Sequence, residues 1–550
     1  MPTYDGRLEL TWTNKAERLL AHEDGSYEWV SPSDYRVAEV RLLHDAGTVG
    51  EVHARRTRAK DNLLIRGDAL NALASLTSLP EFEREYVGRV KLAYLDPPFN
   101  TQQSFLHYDD ALEHSVWLTM MRDRLLLVRT LLSPDGSVWV HCDDSEQAYL
   151  KVAMDEIFGR ENFVATIIWQ KSYTRENRTD VATIHDYILL YARDRDAWAS
   201  SRNLLPPTEE QIGRYRNPDN DSRGPWKALP AHGKAGKGRR AAQFYELTLP
   251  SGRVVNPPPG RCWLRVKERF EELVADGRVW FGRDGDSMPA IKGFLSEMPG
   301  GLVPITIWPY NEVGTTGTAK AEIVELFPGI TPFATPKPER LIARILQVAT
   351  NEDDIVLDCF LGSGTSAAVA QKMGRRWVGI EWSAETLDTF AIPRLSAVVH
   401  GTDPGGITEV VGWGGGGSFR VLDVAPSMFT ADGPIVVLSE WATYGALAEA
   451  TAAQLHFEFA PESPFVGRRG RSRLAVVDGL VNEGVVDVLV GALPDNERVV
   501  ICGTAVDPVA RDALKARRSG CTIRKIPQSI LHEYRQTTAW IPASLEGVSP

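Results

Sequence analysis

The segment KLAYLDPPFNTQQSFLHY, residues 91–108, places a carboxylate, a stiff elbow and an aromatic ring at the end of an apolar run. Two consecutive prolines, Pro97 and Pro98, cannot continue a sheet ladder or sit inside a helix. The apolar run is therefore predicted to be a buried strand that stops at Asp96 and presents the Asp96 carboxylate, the Pro97 carbonyl and the Phe99 ring. Because α/β sheets bind ligands at the carboxyl ends of their strands, this segment predicts a binding site.

A second motif is VLDCFLGSGTSAA, residues 356–368, in which glycines follow an apolar strand pattern and precede a helical one. Gly362, Gly364 and Ala367 fit the G-x-G-x-x-A pattern, whose backbone N–H groups approach a nucleotide closely. Glu381 ends the next strand pattern, where a carboxylate can take ribose hydroxyls. The motif predicts a nucleotide-containing ligand, although the glycines alone would also fit a tight strand–helix turn. An NAD site would need a hydride-transfer constellation, and no group of His, Tyr or Lys residues in the sequence stands out as one.

Short apolar runs alternate with helical patterns around both motifs, as they do in βαβ units. We predict strands at NLLIRGD, RVKLAYLD, SVWVHCD, FVATIIWQK and DYILLYAR, helices at ALNALASL and SVWLTMMRDRLLLVRTLL, and a break at Gly136 before SVWVHCD. Further along, DIVLDCF, TSAAVAQKMG and RRWVGIEW predict strand, helix and strand. The sequence is thus typical of an α/β fold.

The composition of the chain limits the classes of protein to which it can belong. At 550 residues the chain is expected to form two to four domains, and 43% hydrophobic with 24% charged residues is typical of globular proteins. The net charge of −11 counts against a nucleic-acid partner, but a local basic patch could still bind one. The five cysteines are scattered without a CxxC pair, which predicts reduced thiols, a cytoplasmic location and no structural zinc. No apolar run or N-terminal pattern suggests a membrane span or a signal peptide.

Together, DPPFN and FLGSGT resemble the motifs of the DNA amino-methyltransferases, which use S-adenosylmethionine. The catalytic motif precedes the glycines by about 260 residues, which resembles the order of the β class. The resemblance implies a Rossmann-like S-adenosylmethionine-dependent methyltransferase sheet with a circularly permuted motif order, an inserted target recognition region and a C-terminal α/β domain. It also implies catalytic roles for Asp96, Pro97, Pro98 and Phe99, and no metal.

The chemistry of an exocyclic amine fits those four residues. The N6 lone pair of adenine is delocalised into the ring, so the amine is a poor nucleophile. If the Asp96 carboxylate and the Pro97 carbonyl each accept one amine hydrogen, the nitrogen moves toward a tetrahedral, more nucleophilic state. Phe99 offers a face for stacking the base, and positioning supplies most of the catalysis because the methyl sulfonium is already activated.

The resemblance further implies a set of cofactor-binding residues. TPKPERLI matches the helix that leads into the cofactor strand, and IRGDALNAL matches the segment that often precedes DPPF. Asp68 would then reach the adenine of the cofactor, although it could equally be the N-cap of a helix. The implied cofactor-binding residues are Asp68, Thr335, Lys337, Asp358, Phe360, Gly362, Gly364, Thr365 and Glu381.

Within this class, LELTWTNK, YEWVSPSDYRVAEVRLL and GRVWFGRDGDSMPAIKGFLSE look like the modification subunits of type III restriction–modification systems. That similarity implies double-stranded DNA with a flipped target adenine as substrate, a homodimer, and a possible helicase-nuclease partner. The basic, Gly-rich run HGKAGKGRRAAQFY is a candidate phosphate-binding or groove-entering loop, with a solvated charged loop as the alternative. The DNA-binding candidates are Lys234, Lys237, Arg239, Arg240, Asn100 and Tyr108.

The predicted organisation has five segments: an N-terminal extension (1–60), a core with the catalytic motif (61–199), a target recognition insert (200–330), a core with the cofactor motif (331–396) and a C-terminal α/β interaction domain (397–550). The predicted function is adenine-N6 methylation of DNA at a specific site. Two alternatives are cytosine-N4 methylation, whose enzymes more often carry Ser in place of Asp96, and a catalytically silent DNA-recognition subunit. The intact DPPFN and FLGSGT motifs argue against the silent subunit.

Overall fold

A ten-stranded sheet carries the two motifs. The computed structural model describes residues 9–22, 26–52, 57–100, 113–174, 180–235, 241–298, 301–432 and 435–534. They divide into a smaller unit, residues 204–304, and a larger unit formed by the rest of the chain. The sheet belongs to the larger unit, and its strands are β1 (Leu43–Gly50), β2 (Asn62–Arg66), β3 (Val90–Leu95), β4 (Leu132–Cys142), β5 (Phe163–Gln170), β6 (His185–Ala192), β7 (Ile307–Trp308), β8 (Ile355–Asp358), β9 (Arg376–Glu381) and β10 (Ser418–Val424).

The strand order is β7-β5-β6-β4-β3-β8-β9-β2-β10-β1. Strands β4, β3, β8, β9, β2 and β10 are parallel to one another, while β6 is antiparallel to both its neighbours and β1 is antiparallel to β10. Every residue of β3 and β8 is buried, as expected for central parallel strands covered on both faces. Because β3 and β8 are parallel neighbours, their carboxyl ends bring the two sequence motifs together. The predicted Rossmann-like α/β fold is confirmed.

Helices pack on this sheet and connect its strands. The helix Glu339–Ala349 buries Leu341, Ile342, Ile345 and Leu346, one apolar stripe at helical spacing. The principal helices of this part of the larger unit are Ala69–Ser78, Pro80–Tyr86, His114–Leu131, Gln147–Phe158, Arg195–Ser201, Thr316–Leu326, Glu339–Ala349, Thr365–Lys372 and Ile392–His400.

A buried ion-pair network ties three of these helices together. The Glu339 carboxylate accepts hydrogen bonds from Lys372 Nζ at 2.8 Å and from Arg394 Nη2 at 2.9 Å, and all three side chains are at most 3% exposed. Arg394 Nη1 also donates to Thr365 Oγ1 at 2.8 Å. Buried charges need such partners, since an unpaired one would be strongly destabilising. The network therefore fixes the helix that follows the glycine motif.

Three boundaries differ from the prediction. β1 lies in the predicted N-terminal extension and β10 in the predicted C-terminal domain, yet both belong to the central sheet. The separate unit ends at residue 304 rather than 330, because β7 pairs with β5 and the helix Thr316–Leu326 belongs to the larger unit. An edge strand that is mostly exposed, such as β1, shows no alternation of apolar residues, and the two-residue β7 is too short to show any period.

Strand β4 begins at Leu132, so Gly136 lies inside the strand instead of breaking the chain before it. The pairing with β3 shifts register between Val90 and Leu92 at this point. A β-bulge tolerates such a glycine, which explains why the residue did not end the element.

The smaller unit is built from short strands. A three-stranded sheet of Trp226–Pro230, Ala290–Phe294 and Val279–Trp280 is accompanied by two hydrogen-bonded strand pairs and the helix Lys267–Ala275. The two pairs are His232–Lys234 with Arg261–Trp263 and Leu247–Thr248 with Val254–Val255. Trp263 and Phe270, both at most 1% exposed, lie at the centre of its hydrophobic core.

The C-terminal part of the larger unit holds a five-stranded sheet of Glu458–Glu462, Phe465–Arg469, Ser472–Val481, Arg498–Val506 and Thr522–Lys525. The helices of this part are Tyr444–Gln454, Glu483–Gly491, Pro508–Arg517 and Gln528–Tyr534. All five cysteines of the chain are buried. Among the described residues, no helix combines the length and apolarity that crossing a membrane would need.

Candidate active site

A cavity of about 490 Å³ lies where β3, β8 and β9 end. Its size is within the range of small-molecule sites. Eleven of the residues predicted from the sequence line it: Asp96, Pro97, Pro98, Phe99, Thr335, Lys337, Asp358, Phe360, Gly362, Thr365 and Glu381. The catalytic and glycine motifs, separated by about 260 residues in sequence, thus face one space.

The two carboxylate oxygens of Asp96 differ in their hydrogen-bond partners among the described residues. Its Oδ2 accepts a hydrogen bond from Lys337 Nζ at 2.6 Å. Its Oδ1 is buried and has no hydrogen-bond partner among the described residues. The Pro98 carbonyl accepts a hydrogen bond from Trp117 Nε1 at 2.7 Å, which fixes the elbow after Asp96. A buried acceptor without a donor is costly, so Oδ1 is a strong candidate for contacting a ligand N–H group.

Phe99 rests on a buried aromatic layer that the sequence analysis missed. The Phe99 and His141 rings are stacked, with centroids 5.5 Å apart and planes inclined by 30°. His141 Nδ1 lies 3.1 Å from the Tyr94 hydroxyl and Nε2 lies 3.5 Å from Asp186 Oδ2. Burial lowers the pKa of His141, so the ring is neutral near pH 7 and serves as packing support. Asp186 also accepts from Lys171 Nζ at 2.6 Å, and both of these residues line the cavity.

The two glycines have different surroundings although both have left-handed backbone angles, φ 51° at Gly362 and φ 82° at Gly364. A Cβ atom at Gly362 would lie 3.2 Å from Cζ of Phe333, a residue of the cavity wall. A Cβ atom at Gly364 would instead lie 3.4 Å from Cα of Ala391, and Gly364 does not line the cavity. The structure favours Gly362 over Gly364 as the glycine that approaches the cofactor, because Gly362 borders the cavity, whereas Gly364 starts the helix Thr365–Lys372 and packs against Ala391.

Glu381 holds the glycine loop. Its Oε2 accepts from the Gly362 N–H at 2.8 Å and its Oε1 from the Ser383 N–H at 3.0 Å. Burial raises the pKa of Glu381. A carboxylate fixed in this way at the end of β9 retains lone pairs that can accept from ligand hydroxyls.

Asp358, at the end of β8, is another acidic residue that lines the cavity. Its Oδ1 accepts from the Phe360 N–H at 2.9 Å, and its Oδ2 accepts from the Ser366 hydroxyl. Burial, and then the charges of Asp96 and Glu381, raise the pKa of Asp358 to about 7. A cation in the cavity would favour its ionised form.

Asp68 does not line the cavity. Its Oδ1 accepts from the backbone N–H groups of Leu70 at 2.9 Å and Asn71 at 3.3 Å, so it caps the helix Ala69–Ser78. Its Oδ2 pairs with Arg124 at 2.6 Å. The structure therefore bears out Asp68 as an N-cap, and its contact with the cofactor stays a prediction.

The DNA-binding candidates are spread over the chain. Asn100 follows the cavity residue Phe99, has a left-handed φ of 59°, and donates from Nδ2 to Glu146 Oε1 at 2.6 Å. Lys234 is the exposed last residue of a short, half-buried strand of the smaller unit. Tyr108, Lys237, Arg239 and Arg240 lie outside the described residues.

Two aromatic residues that line the cavity were not predicted from the sequence. Trp382 follows Glu381 directly and is 54% exposed, and Phe333 lies two residues before Thr335. An aromatic residue placed directly after a strand-end carboxylate is the signal that could have identified Trp382. Such a ring can stack on a planar heterocycle.

A comparison with protein families matches residues 90–391 to the family described as DNA methylase (N6_N4_Mtase). The match begins at β3 and spans both motifs. The chain belongs to the DNA methylase family.

Several curated proteins are similar to this chain. The "Probable type III restriction-modification enzyme HindVI Mod subunit" of Haemophilus influenzae is 30% identical over 71% of this chain and 58% of its own length. The StyLTI Mod subunit of Salmonella typhimurium is 32% identical over 56% of this chain and 49% of its own length. The EcoP15I Mod subunit of Escherichia coli is 25% identical over 72% of this chain and 69% of its own length. The chain thus spans about half to two thirds of the length of these relatives.

Proposed function

We propose that this protein transfers a methyl group from S-adenosylmethionine to the N6 amine of adenine in double-stranded DNA. The observation that carries the proposal is the juxtaposition, in one cavity, of the glycine loop at Gly362 and Asp96 Oδ1, a buried acceptor to which no described residue donates. Membership of the DNA methylase family supports the same conclusion.

The cavity fits the cofactor. Gly362 borders the cavity without a side chain, and a Cβ atom there would crowd Phe333 in the cavity wall. Asp358 and Glu381 supply acidic groups suited to a sulfonium cation and to ribose hydroxyls, and Trp382 and Phe360 supply apolar walls. Thr335 and Thr365 remain proposed cofactor contacts because they line the same cavity.

The chain supplies positioning and hydrogen-bond acceptors to the reaction. Asp96 Oδ1 and the Pro97 carbonyl accept the two amine hydrogens and hold the nitrogen lone pair out of the ring plane. The Phe99 ring, which stacks on His141, provides the face against which the target base packs. When bound, S-adenosylmethionine would supply an activated methyl group. The target nitrogen would bond the methyl carbon with its lone pair as the sulfur–methyl bond breaks, and it would release one proton through the Asp96 carboxylate to water.

The smaller unit is the proposed DNA-recognition element. Residues 204–304 contain 16 Lys and Arg against 12 Asp and Glu, a formal charge of +4 within a chain of −11. A groove of about 820 Å³ in this unit is lined by the exposed Lys227, Arg265 and Arg269, with Lys227 Nζ 4.9 Å from the Tyr215 ring centroid. A cationic groove with an aromatic ring fits phosphates and bases. The cluster Lys234, Lys237, Arg239 and Arg240 remains a second candidate in the same unit.

The similarity to Mod subunits supports a role as the modification subunit of a type III-like restriction–modification system. A homodimer, a flipped adenine and a helicase-nuclease partner belong to this proposal, as do the cytoplasmic location and the C-terminal sheet as an interaction domain. Cytosine-N4 methylation is the nearest rival, because both reactions use an exocyclic amine.

Single-molecule sequencing of DNA from a methylation-deficient host that expresses the chain tests the proposal. N6-methyladenine at one short asymmetric site is expected. N4-methylcytosine would replace the assignment with its rival, and unmodified DNA in cells that contain the folded protein would favour a silent recognition subunit.

A further inference from the structure

Lys337 is held between two residues of the catalytic motif. Its Nζ lies 2.6 Å from Asp96 Oδ2 and 5.1 Å from the centroid of the Phe99 ring. The Lys337 side chain is 7% exposed and that of Asp96 19%, so the ion pair is largely shielded from water. The sequence predicted that Lys337 binds the cofactor, yet these contacts are with the residues that would hold the target base.

The backbone that carries Lys337 is stiff. Pro336 and Pro338 flank it, and Pro338 is the N-cap of the helix Glu339–Ala349. That helix is anchored by the buried Glu339 ion-pair network described above. An ammonium group that projects from so fixed a segment can locate a carboxylate that contacts it.

The ion pair with Lys337 makes the two carboxylate oxygens of Asp96 unequal. Lys337 occupies Oδ2, whereas Oδ1 is left without a donor among the described residues. A carboxylate held at one oxygen cannot rotate freely, so the direction of the other oxygen is set. We infer that Lys337 is a positioning residue that aims Asp96 Oδ1 at the target amine. This inference rests on the proposed function and assigns Lys337 to the base side of the cavity.

If Lys337 only positions Asp96, its replacement should lower the turnover number and leave the affinity for S-adenosylmethionine nearly unchanged. Without the ammonium group, the Asp96 carboxylate would lose the contact that orients it, and misplacement of a reacting group by about 1 Å can cost roughly 100-fold in rate. Lys337→Met should therefore lower kcat by roughly 100-fold. The dissociation constant for S-adenosylmethionine should change by less than about threefold, because the residues that contact the cofactor are intact. Lys337→Arg retains a donor and should recover at least about tenfold of the lost kcat.

The full-length chain offers a matched control. Lys151 pairs with Asp155 at 2.7 Å and lies 4.3 Å from the Phe163 ring centroid, the same combination of ion pair and ring contact, but outside the cavity lining. The experiment measures transfer of tritiated methyl groups to unmethylated genomic DNA at saturating cofactor, together with calorimetric titration of S-adenosylmethionine. It compares the wild type with Lys337→Met, Lys337→Arg, Lys337→Gln and Lys151→Met.

The expected pattern is a loss of kcat in Lys337→Met and Lys337→Gln, partial rescue in Lys337→Arg, near-normal transfer in Lys151→Met and cofactor isotherms close to that of the wild type. If Lys337→Met does not fold, Lys337→Gln and Lys337→Arg provide the same comparison. A parallel loss of cofactor affinity, or a wild-type kcat in the folded variants, would overturn the inference and leave the proposed function standing. A wild type that transfers no methyl group to DNA would overturn both.

Discussion

Ala substitutions at Gly362 and Gly364 should differ in their effect on cofactor binding, because Gly362 borders the cavity whereas Gly364 begins the helix Thr365–Lys372. Both residues have left-handed φ angles, so either substitution should cost about 1–2 kcal/mol of folding stability. Their effects on the cofactor should differ. A Cβ atom at Gly362 would lie 3.2 Å from Phe333 Cζ, closer than an ordinary contact, and would crowd the cavity wall. A Cβ atom at Gly364 would lie 3.4 Å from Ala391 Cα, in a contact that does not face the cavity.

Crowding of a packed site costs about 1–3 kcal/mol, and 1.4 kcal/mol is a factor of ten in affinity. Gly362→Ala should therefore weaken S-adenosylmethionine binding by roughly 5- to 150-fold, while Gly364→Ala should change it by less than about threefold. Calorimetric titration of both variants measures this difference, and thermal denaturation verifies that they are similarly stable. Equal losses of affinity, or a loss confined to Gly364→Ala, would refute the assignment of Gly362 to the cavity wall.

Three further results are expected. Glu339→Gln should lower the free energy of unfolding by about 3 kcal/mol in denaturant titrations, because buried Arg394 loses its carboxylate partner while Lys372 keeps its ion pair with Asp403; a loss below about 1 kcal/mol would contradict the buried network. Burial raises the pKa of Asp358 to about 7, so its contribution to stability is complete below its unfolded pKa and is lost as the pH rises through 7. Relative to Asp358→Asn, the wild type should lose roughly 3 kcal/mol between pH 5 and pH 8, and parallel pH profiles would refute this. Converting Lys227 and Arg265 to Ala should flatten the slope of log K for DNA against log salt by up to roughly 1.8, and the four cations of the loop cluster by up to roughly 3.6; unchanged slopes would exclude phosphate contacts there.

The sequence predicted the catalytic half of the site because its chemistry restricts the residue types. A strand that ends in Asp96, two prolines and Phe99 has few structural explanations, and the glycine loop between a strand and a helix is equally restricted. In the structure both motifs line one cavity. The parallel pairing of β3 with β8 joins them, and the α/β pattern predicted both strands but not that they are neighbours.

What the sequence did not predict depends on contacts between distant segments. Lys337 and Asp96 are 241 positions apart, so no local pattern reveals their ion pair. The distinction between Gly362 and Gly364 depends on what surrounds each Cα atom rather than on the motif. Asp68 shows the opposite case, since its position just before a helix pattern was a local signal for capping that outweighed the family expectation.

The central claim is that Asp96 holds the target amine in a cavity shared with the cofactor. The most direct test measures Asp96→Ala in two assays on the same preparation: calorimetric binding of S-adenosylmethionine and transfer of tritiated methyl groups to the adenines of unmethylated DNA. The structure predicts a cofactor affinity within about threefold of the wild type and no detectable transfer, because the substitution removes the amine acceptor and leaves the glycine loop intact. Wild-type turnover in Asp96→Ala would contradict the account.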